Sequence, residues 1–175
     1  MTDAPEPALA RVAGLLDEAV GALRSGAART EVLADLEPER RVLGITRAAR
    51  MAPRGRVWRL GVLLLDDAGD VLAAGRVVRA ERPTRRSIPA NAVVEQRALR
   101  AAAVKGGIPE GETVNFDARP IDVDELASTG ASGPLVLRDG AVLVRWSPAQ
   151  PDALTAFDRY LADRVELLVR PPGGA

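Results

Sequence analysis

The chain contains no histidine and no cysteine. Histidine is the commonest general base and the commonest transition-metal ligand, so Ser-His-Asp sets, Cys-His sets and histidine-bound metals cannot be built from this chain alone. Without cysteine there is no disulfide, no thiolate nucleophile and no thiolate-bound metal. These absences exclude the commonest catalytic chemistries, and we predict neither a metal nor a cofactor.

Lysine and aromatic residues are scarce. Lys105 is the single lysine, and aromatic residues make up 3% of the chain, so the core is expected to consist of leucine, valine and alanine. A length of 175 residues suits one domain. We predict a single α+β domain over 1–170, with a helical part at 1–50, a hairpin-helix-hairpin-helix part at 57–170 and a disordered tail at 171–175.

Long apolar segments are missing as well. The apolar run Val62–Leu65 is far too short to span a membrane. The first residues include Asp3 and Glu6 and lack the basic and apolar regions of a signal peptide. The sequence therefore predicts a cytoplasmic protein that does not insert into membranes.

The charge balance is zero overall but uneven along the chain. Residues 1–39 and 106–175 each have a net charge of −5, whereas residues 40–105 have +10. Seven arginines and no acidic residue lie between Arg40 and Arg59. This segment predicts either a surface that binds nucleic acid or a phosphorylated ligand, or a mixed surface on which the acidic flanks dock.

Helical spacing of apolar residues predicts an amphipathic helix over 7–24. Shorter helices are predicted at Glu31–Leu36 and from Pro38 to about Ala49, because proline is tolerated at the first helical position. Residues 51–56 are predicted to form a loop. The apolar positions of the first helix recur at steps of three and four: Leu9, Val12, Leu16, Val20 and Leu23.

Two β-hairpins are predicted. The first has strands at 57–65 and 71–79, joined by a turn at 66–70. The second covers 135–146, where Asp139-Gly140 is the signature of a two-residue type I′ turn. That turn places two pairs of residues opposite each other, and these four form the core face: Leu137 with Val142, and Leu135 with Val144.

Between and after the hairpins we predict a helix from about Ala92 to Lys105, a short strand at Thr113–Phe116, an exposed excursion at 117–133 and a last helix from about Pro151 to Val169. Both tryptophans, Trp58 and Trp146, are predicted to lie on strands and to pack in the core or at an edge, with a ligand platform as the alternative. The fold class is therefore α+β, with an antiparallel sheet built from two β-hairpins, helices packed on it, and amphipathic helices at both ends.

One local cluster predicts an anion site. Three arginines precede the helix whose N-cap is predicted to be Asn91, and guanidinium groups beside free helix N–H groups bind phosphate. An exposed basic loop is the alternative interpretation. The residues of the predicted anion site are Arg82, Arg85, Arg86, Ser87 and Asn91.

Four carboxylates in the acidic excursion offer oxygen ligands of the kind that divalent cations prefer. The spacing is short and common, so a solvated loop is the favoured interpretation. These residues are Asp117, Asp122, Asp124 and Glu125.

Several stretches resemble an uncharacterised family of actinobacterial proteins, some of which are described as glutaminases. They are Trp58–Leu65, Ala74–Val77, Gly106–Glu112, Val114–Asp117 and Tyr160–Leu167. The resemblance implies an amidohydrolase activity. It assigns no catalytic residue, and the Ser-x-x-Lys motif of serine-type glutaminases is absent because Ala102 stands three residues before Lys105.

Three classes of function remain open. The first is a non-catalytic binding or adaptor protein whose ligand is an unknown protein or an anionic small molecule. The second is a glutaminase-type amidohydrolase, which would need a nucleophile such as Ser87 with Lys105 or a carboxylate as base. The third is a nucleic-acid-associated protein that uses the region from Arg40 to Arg100. A homo-oligomer is compatible with each.

Overall fold

The computed structural model describes residues 5–42, 44–82, 91–147, 149–150 and 152–173. These residues form four helices: α1 (Pro5–Ser25), α2 (Asn91–Lys105), α3 (Val123–Thr129) and α4 (Phe157–Val169). They also form thirteen strands: β1 (Glu31–Glu37), β2 (Arg40–Val42), β3 (Ile45–Arg47), β4 (Arg50–Leu60), β5 (Leu63–Asp66), β6 (Val71–Ala73), β7 (Arg76–Arg79), β8 (Thr113–Phe116), β9 (Arg119–Pro120), β10 (Ala131–Ser132), β11 (Leu135–Arg138), β12 (Ala141–Arg145) and β13 (Leu154–Ala156). The fold class is α+β with antiparallel hairpins, as predicted. No helix among these residues is both long and apolar enough to cross a membrane.

The chain divides into two compact units, each assembled from separate segments. The first unit contains the described residues of 1–30, 58–74 and 119–175, and the second contains those of 31–57 and 75–118. Strand β4 belongs partly to each, because the division falls between Val57 and Trp58. The predicted domain bounds of 1–170 stay a prediction.

The first unit joins two sets of strands to three helices. The end of β4 is followed across the sheet by β5, β6 and β9, and a second sheet has the order β10-β11-β12-β13. Side chains of α1 and α4 share its apolar core with Leu63 and Leu65 of β5. Tyr160 fixes the chain reversal after β4, since its hydroxyl donates to the Leu60 carbonyl at 2.9 Å and accepts from the Val62 N–H at 3.0 Å.

The second unit contains a sheet with the order β7-β8-β1-β4, the helix α2 and the small hairpin β2-β3. The β1-β8 pair is parallel, whereas β7-β8 and β1-β4 are antiparallel. Helix α2 contributes Leu99, Ala102 and Ala103 to a core that includes Met51 and Phe116. Its small side chains allow a close approach between the helix and the strands.

The second hairpin confirms its predicted turn and register. Asp139 has φ 51° and Gly140 has φ 70°, the pair of positive values that a type I′ turn requires. Leu137 pairs with Val142 and Leu135 with Val144. Leu137 is only half-buried, whereas Val136 on the other face is buried, so both faces of this strand are partly covered: the buried residues are Leu135, Val136, Val142 and Val144.

Of the helical part predicted at 1–50, only α1 is helical. The helices predicted between Glu31 and Ala49 are wrong. Residues 31–37 form β1, in which Val32, Leu33 and Ala34 are buried consecutively. A strand covered on both faces has a continuous apolar run instead of an alternating one, and over so few residues such a run cannot be distinguished from a helical pattern.

The predicted loop at 51–56 is instead the first half of β4. Its proline is accommodated by a β-bulge, because Leu33 pairs with Gly55 and Ala34 with Pro53, which leaves Arg54 as the extra residue. Proline lacks an N–H and is found in sheets at edges or bulges. The Pro53 and Gly55 that favoured a loop therefore mark an irregularity within a strand.

The exposed excursion predicted at 117–133 contains β9, α3 and β10, with Leu126 buried. The last helix starts at Phe157, not near Pro151, because residues 154–156 pair with β12 as β13.

The return strand predicted at 71–79 is interrupted between Ala73 and Arg76 and gives β6 and β7. The interruption includes Gly75, which has no room for a side chain, because an added Cβ would collide with backbone atoms of residues 116 and 117.

The two tryptophans differ in their environments. Trp58 is buried, and its indole N–H donates to the Ala28 carbonyl at 3.2 Å, which confirms the predicted packing. Trp146 follows the end of β12 and is 45% exposed, so the prediction that it lies on a strand is wrong.

Candidate functional site: a basic cleft beside an exposed hairpin

The hairpin β2-β3, here called the basic arm, carries three arginines: Arg40, Arg41 and Arg47. Arg40 pairs directly with Arg47, and Arg41 pairs with Thr46. All four of these residues are exposed. Like charges directly opposite each other on paired strands are destabilising, so this arrangement favours an anion placed between or above the two guanidinium groups.

Beside the arm lies a cavity of about 280 Å³, here called the basic cleft. This volume is several times the ~30 Å³ that one water molecule takes up in the liquid. Four of the lining side chains are cationic and one is anionic. The lining residues are Glu37, Pro38, Arg40, Arg47, Ala48, Arg50 and Lys105.

The single carboxylate of the basic cleft is already hydrogen-bonded. Arg50 donates from its Nε to one oxygen of Glu37 at 2.7 Å and from a terminal nitrogen to the other at 3.4 Å. These hydrogen bonds from Arg50, with the charges of Arg50, Arg40 and Arg47, lower the pKa of Glu37. The cleft therefore keeps Glu37 ionised and still has an excess of positive charge.

Among the described residues, the other cations of the arm and the cleft have no such hydrogen-bonded carboxylate. Within the residues that the structure describes, no carboxylate forms an ion pair with Arg40, Arg41, Arg47 or Lys105. A cavity of about 440 Å³ elsewhere in the second unit provides a contrast. Its only cation, Arg76, contacts Glu95 at 2.9 Å and Asp117 at 3.9 Å.

The position of Lys105 in the cleft follows from the end of α2. Gly106 ends the helix, and its N–H donates to the Ala102 carbonyl at 3.0 Å. The backbone of Gly106 lies so close to Met51 that an added Cβ would collide with the Met51 carbonyl. This contact holds the last residue of α2 near the start of β4, where Arg50 lies.

The predicted anion site at Arg82, Arg85, Arg86, Ser87 and Asn91 lies mostly outside the described residues. Arg85, Arg86 and Ser87 are not among them, nor is the side chain of Asn91, whose backbone begins α2. Arg82 is described, and it engages a carboxylate: its N–H donates to Glu110 at 3.2 Å and its Nε lies 3.6 Å from the other oxygen. The site stays a prediction.

Of the four carboxylates considered as cation ligands, one has a structural role. Asp122 is the N-cap of α3, and its side chain accepts from the N–H groups of Asp124 at 2.9 Å and Glu125 at 3.0 Å. The Asp-x-Asp spacing is therefore accounted for by helix capping. Among the described residues, no group of three or more carboxylates is arranged to hold a metal ion.

The arginine-rich run from Arg40 to Arg59 was the sequence signal for the basic cleft. Its charge was evident, but the participation of Lys105 was not, because that residue lies far away in the sequence. No protein-family model, curated protein or solved structure matches this chain.

Proposed function

We propose that the chain is a non-catalytic cytoplasmic binding protein that holds an anionic, phosphate-bearing ligand at the basic cleft. The observation that supports this proposal most directly is the direct pairing of Arg40 with Arg47 beside Lys105. Charged hydrogen bonds from guanidinium to phosphate are short and strong, and arginine can make two at once. A bound phosphate would remove the repulsion that the unliganded hairpin contains.

The lining of the cleft offers less support for an amidohydrolase. The described residues that line it include no serine or threonine that Lys105 could activate as a nucleophile. The Ser87 considered for that role lies outside the described residues. Binding is therefore the function for which the described side chains supply the chemistry.

Isothermal titration calorimetry with inorganic tripolyphosphate tests this proposal. The unaltered chain is expected to bind, and Arg40→Gln combined with Arg47→Gln is expected to weaken binding at least tenfold, because two charged hydrogen-bond donors are lost. Lys105→Gln is expected to weaken it less, since lysine donates as a point charge.

A matched control separates the cleft from general electrostatics. Arg138→Gln with Arg159→Gln removes the same charge from two exposed arginines of the first unit and is expected to leave binding unchanged. Arg85→Ala with Arg86→Ala tests the predicted loop site in the same titration. Equal weakening by the control pair, or none by the Arg40 and Arg47 pair, would contradict the proposal.

A further inference from the structure

Strand β7 is an edge strand of the sheet in the second unit. It pairs with β8 on one side, and no other described strand pairs with its opposite side. Alternate residues of an edge strand point their N–H and C=O groups away from the sheet, where these groups can bond a further strand. The four residues Arg76–Arg79 therefore offer main-chain donors and acceptors to an extended segment of another chain.

The cavity of about 440 Å³ described above lies between β7 and the first half of α2, and is here called the edge groove. Buried apolar side chains line it on one side: Val78, Leu99 and Phe116. Glu95 and Gln96 of α2 supply its polar side. Its volume lies within the range of about 300–1,000 Å³ that is typical of ligand pockets, so an aliphatic side chain fits.

The two faces of β7 differ in what they lack. Arg76 and Val78 share the face toward α2, because they pair with Phe116 and Val114 of the core beneath that helix. Val77 lies on the other face and is 43% exposed. The side chains of an added strand alternate between the faces, so such a strand would fill the edge groove and also cover Val77.

The charges around the edge groove favour a cationic partner. Arg76 lies over the Phe116 ring, with its guanidinium carbon 5.1 Å from the ring centroid, and it contacts Glu95 at 2.9 Å and Asp117 at 3.9 Å. Two carboxylates thus share one guanidinium group, and both are exposed to solvent. A lysine or arginine placed beside Glu95 would complement the excess negative charge of these three groups.

We propose that β7 and the edge groove bind an extended peptide segment of a partner protein as an added strand. An aliphatic side chain of the segment enters the groove, and a lysine or arginine two residues away lies beside Glu95. Residues two apart in a strand share a face and lie about 6.6 Å apart. In strand addition, main-chain hydrogen bonds give affinity and pockets for alternate side chains give specificity. This site is separate from the basic cleft and does not depend on the proposed function.

A second copy of the chain is a poorer occupant of this edge. Its β7 would have to supply the side chains for the groove, but Val78 is buried in its own core and Arg76 contacts Glu95 and Asp117 of its own unit. Antiparallel pairing of all four residues would also place Arg76 opposite Arg79, and like charges directly opposite each other destabilise paired strands.

Selection from a phage-displayed library of random octapeptides against the unaltered chain tests the proposal. Enriched sequences are expected to carry an aliphatic residue and a lysine or arginine two positions apart. A synthetic peptide of the enriched sequence is expected to shift the backbone amide NMR signals of β7, Glu95 and Gln96. No enrichment, or shifts confined to other parts of the chain, would overturn the proposal.

Gln96→Trp fills the edge groove and is expected to weaken binding of this peptide about tenfold or more, because the aliphatic side chain can no longer be buried there. Val94→Trp is the matched control, since Val94 is an exposed residue of α2 that does not line the groove, and it should leave binding unchanged. Both variants should keep tripolyphosphate binding, so this inference and the proposed function can fail separately. Equal weakening by the two variants would contradict the assignment of the groove.

Glu95→Gln tests the cationic partner. The variant is expected to bind the enriched peptide about two- to fivefold more weakly, as for an exposed ion pair, and to bind the same peptide with glutamine at its basic position as the unaltered chain does. Equal weakening of both peptides would show that the partner's charge is assigned wrongly. Light scattering tests the alternative occupant: a dimer that Gln96→Trp dissociates would assign this edge to a second copy and overturn the proposal. Far-ultraviolet circular dichroism verifies that each variant is folded.

Discussion

Glu37 shows at the residue scale how the local charge excess acts on one group. Its carboxylate accepts two hydrogen bonds from Arg50 and lies in the field of Arg40 and Arg47. Each of these interactions favours the ionised form, and they outweigh the opposing effect of desolvation. The pKa of Glu37 therefore reports the positive potential in the basic cleft.

The first prediction concerns the pKa of Glu37, which we expect to lie below the ordinary value of a glutamate because Arg50 bonds the ionised form. Carbon-13 NMR titration of its side-chain carboxyl measures it. Arg50→Gln should raise this pKa most, and Arg40→Gln with Arg47→Gln should raise it less. An unchanged pKa in Arg50→Gln would contradict the assignment.

The sign of the stability effect follows from this shift. A carboxylate whose folded pKa is lowered stabilises the fold above its unfolded pKa, and this contribution is lost as the pH falls through the folded pKa. Protonation of Glu37 under acidic conditions therefore removes the contribution, and Arg50→Gln should make the protein less sensitive to that pH change.

Residue-level prediction from sequence succeeded where the signal is local. Asp139-Gly140 encodes its own turn, because Gly140 and a short polar residue tolerate positive φ. The role of Tyr160 has no such signal, since its hydroxyl bonds the Leu60 carbonyl across 100 positions of sequence. Only the folded chain brings these groups together.

At the scale of elements, the predicted helix at 31–36 was wrong because tertiary packing decides the structure of this short segment. Val32 and Ala34 share their core with Leu99 and Ala102 of α2, and Leu33, on the opposite face of β1, is buried as well, so the burial of this segment depends on the rest of the fold. Short apolar segments adopt the structure that tertiary packing selects. By contrast, α1 is long enough for its periodicity to decide.

The contact between α2 and β4 supplies the second prediction. Gly106→Ala is expected to destabilise the protein by about 1–3 kcal/mol, because its Cβ would collide with the Met51 carbonyl and force the backbone apart. Urea denaturation followed by circular dichroism measures the loss.

Gly55→Ala is the matched control for that substitution. No atom lies within 4 Å of an added Cβ at this exposed position, so the free energy of unfolding should change by less than about 1 kcal/mol. If both alanine variants are equally stable, the close approach of α2 to β4 does not limit the fold.

On the scale of the whole molecule, strand β4 belongs to both compact units. The third prediction is that both unfold in one transition, because loss of β4 removes a strand from each. Trp58 and Trp146 both belong to the first unit, so fluorescence reports that unit while circular dichroism reports the entire chain.

Gly106→Ala tests this coupling, since it alters the second unit alone. We expect its fluorescence and circular dichroism transitions to shift together to lower urea, as two-state behaviour requires. A fluorescence transition that stays in place while the circular dichroism transition shifts would show independent units, and would contradict the prediction of one domain over 1–170.

The segmented build of the units also sets an order of events during protein synthesis. All described parts of the second unit precede residue 119, whereas the first unit needs α4, which follows them in the sequence. Its earliest helix, α1, buries Leu16 and Leu23 in a core shared with Phe157 and Leu161. During synthesis, the part of the apolar face of α1 that packs on α4 therefore stays uncovered until α4 emerges, and apolar surface exposed in this way makes a folding intermediate prone to aggregation.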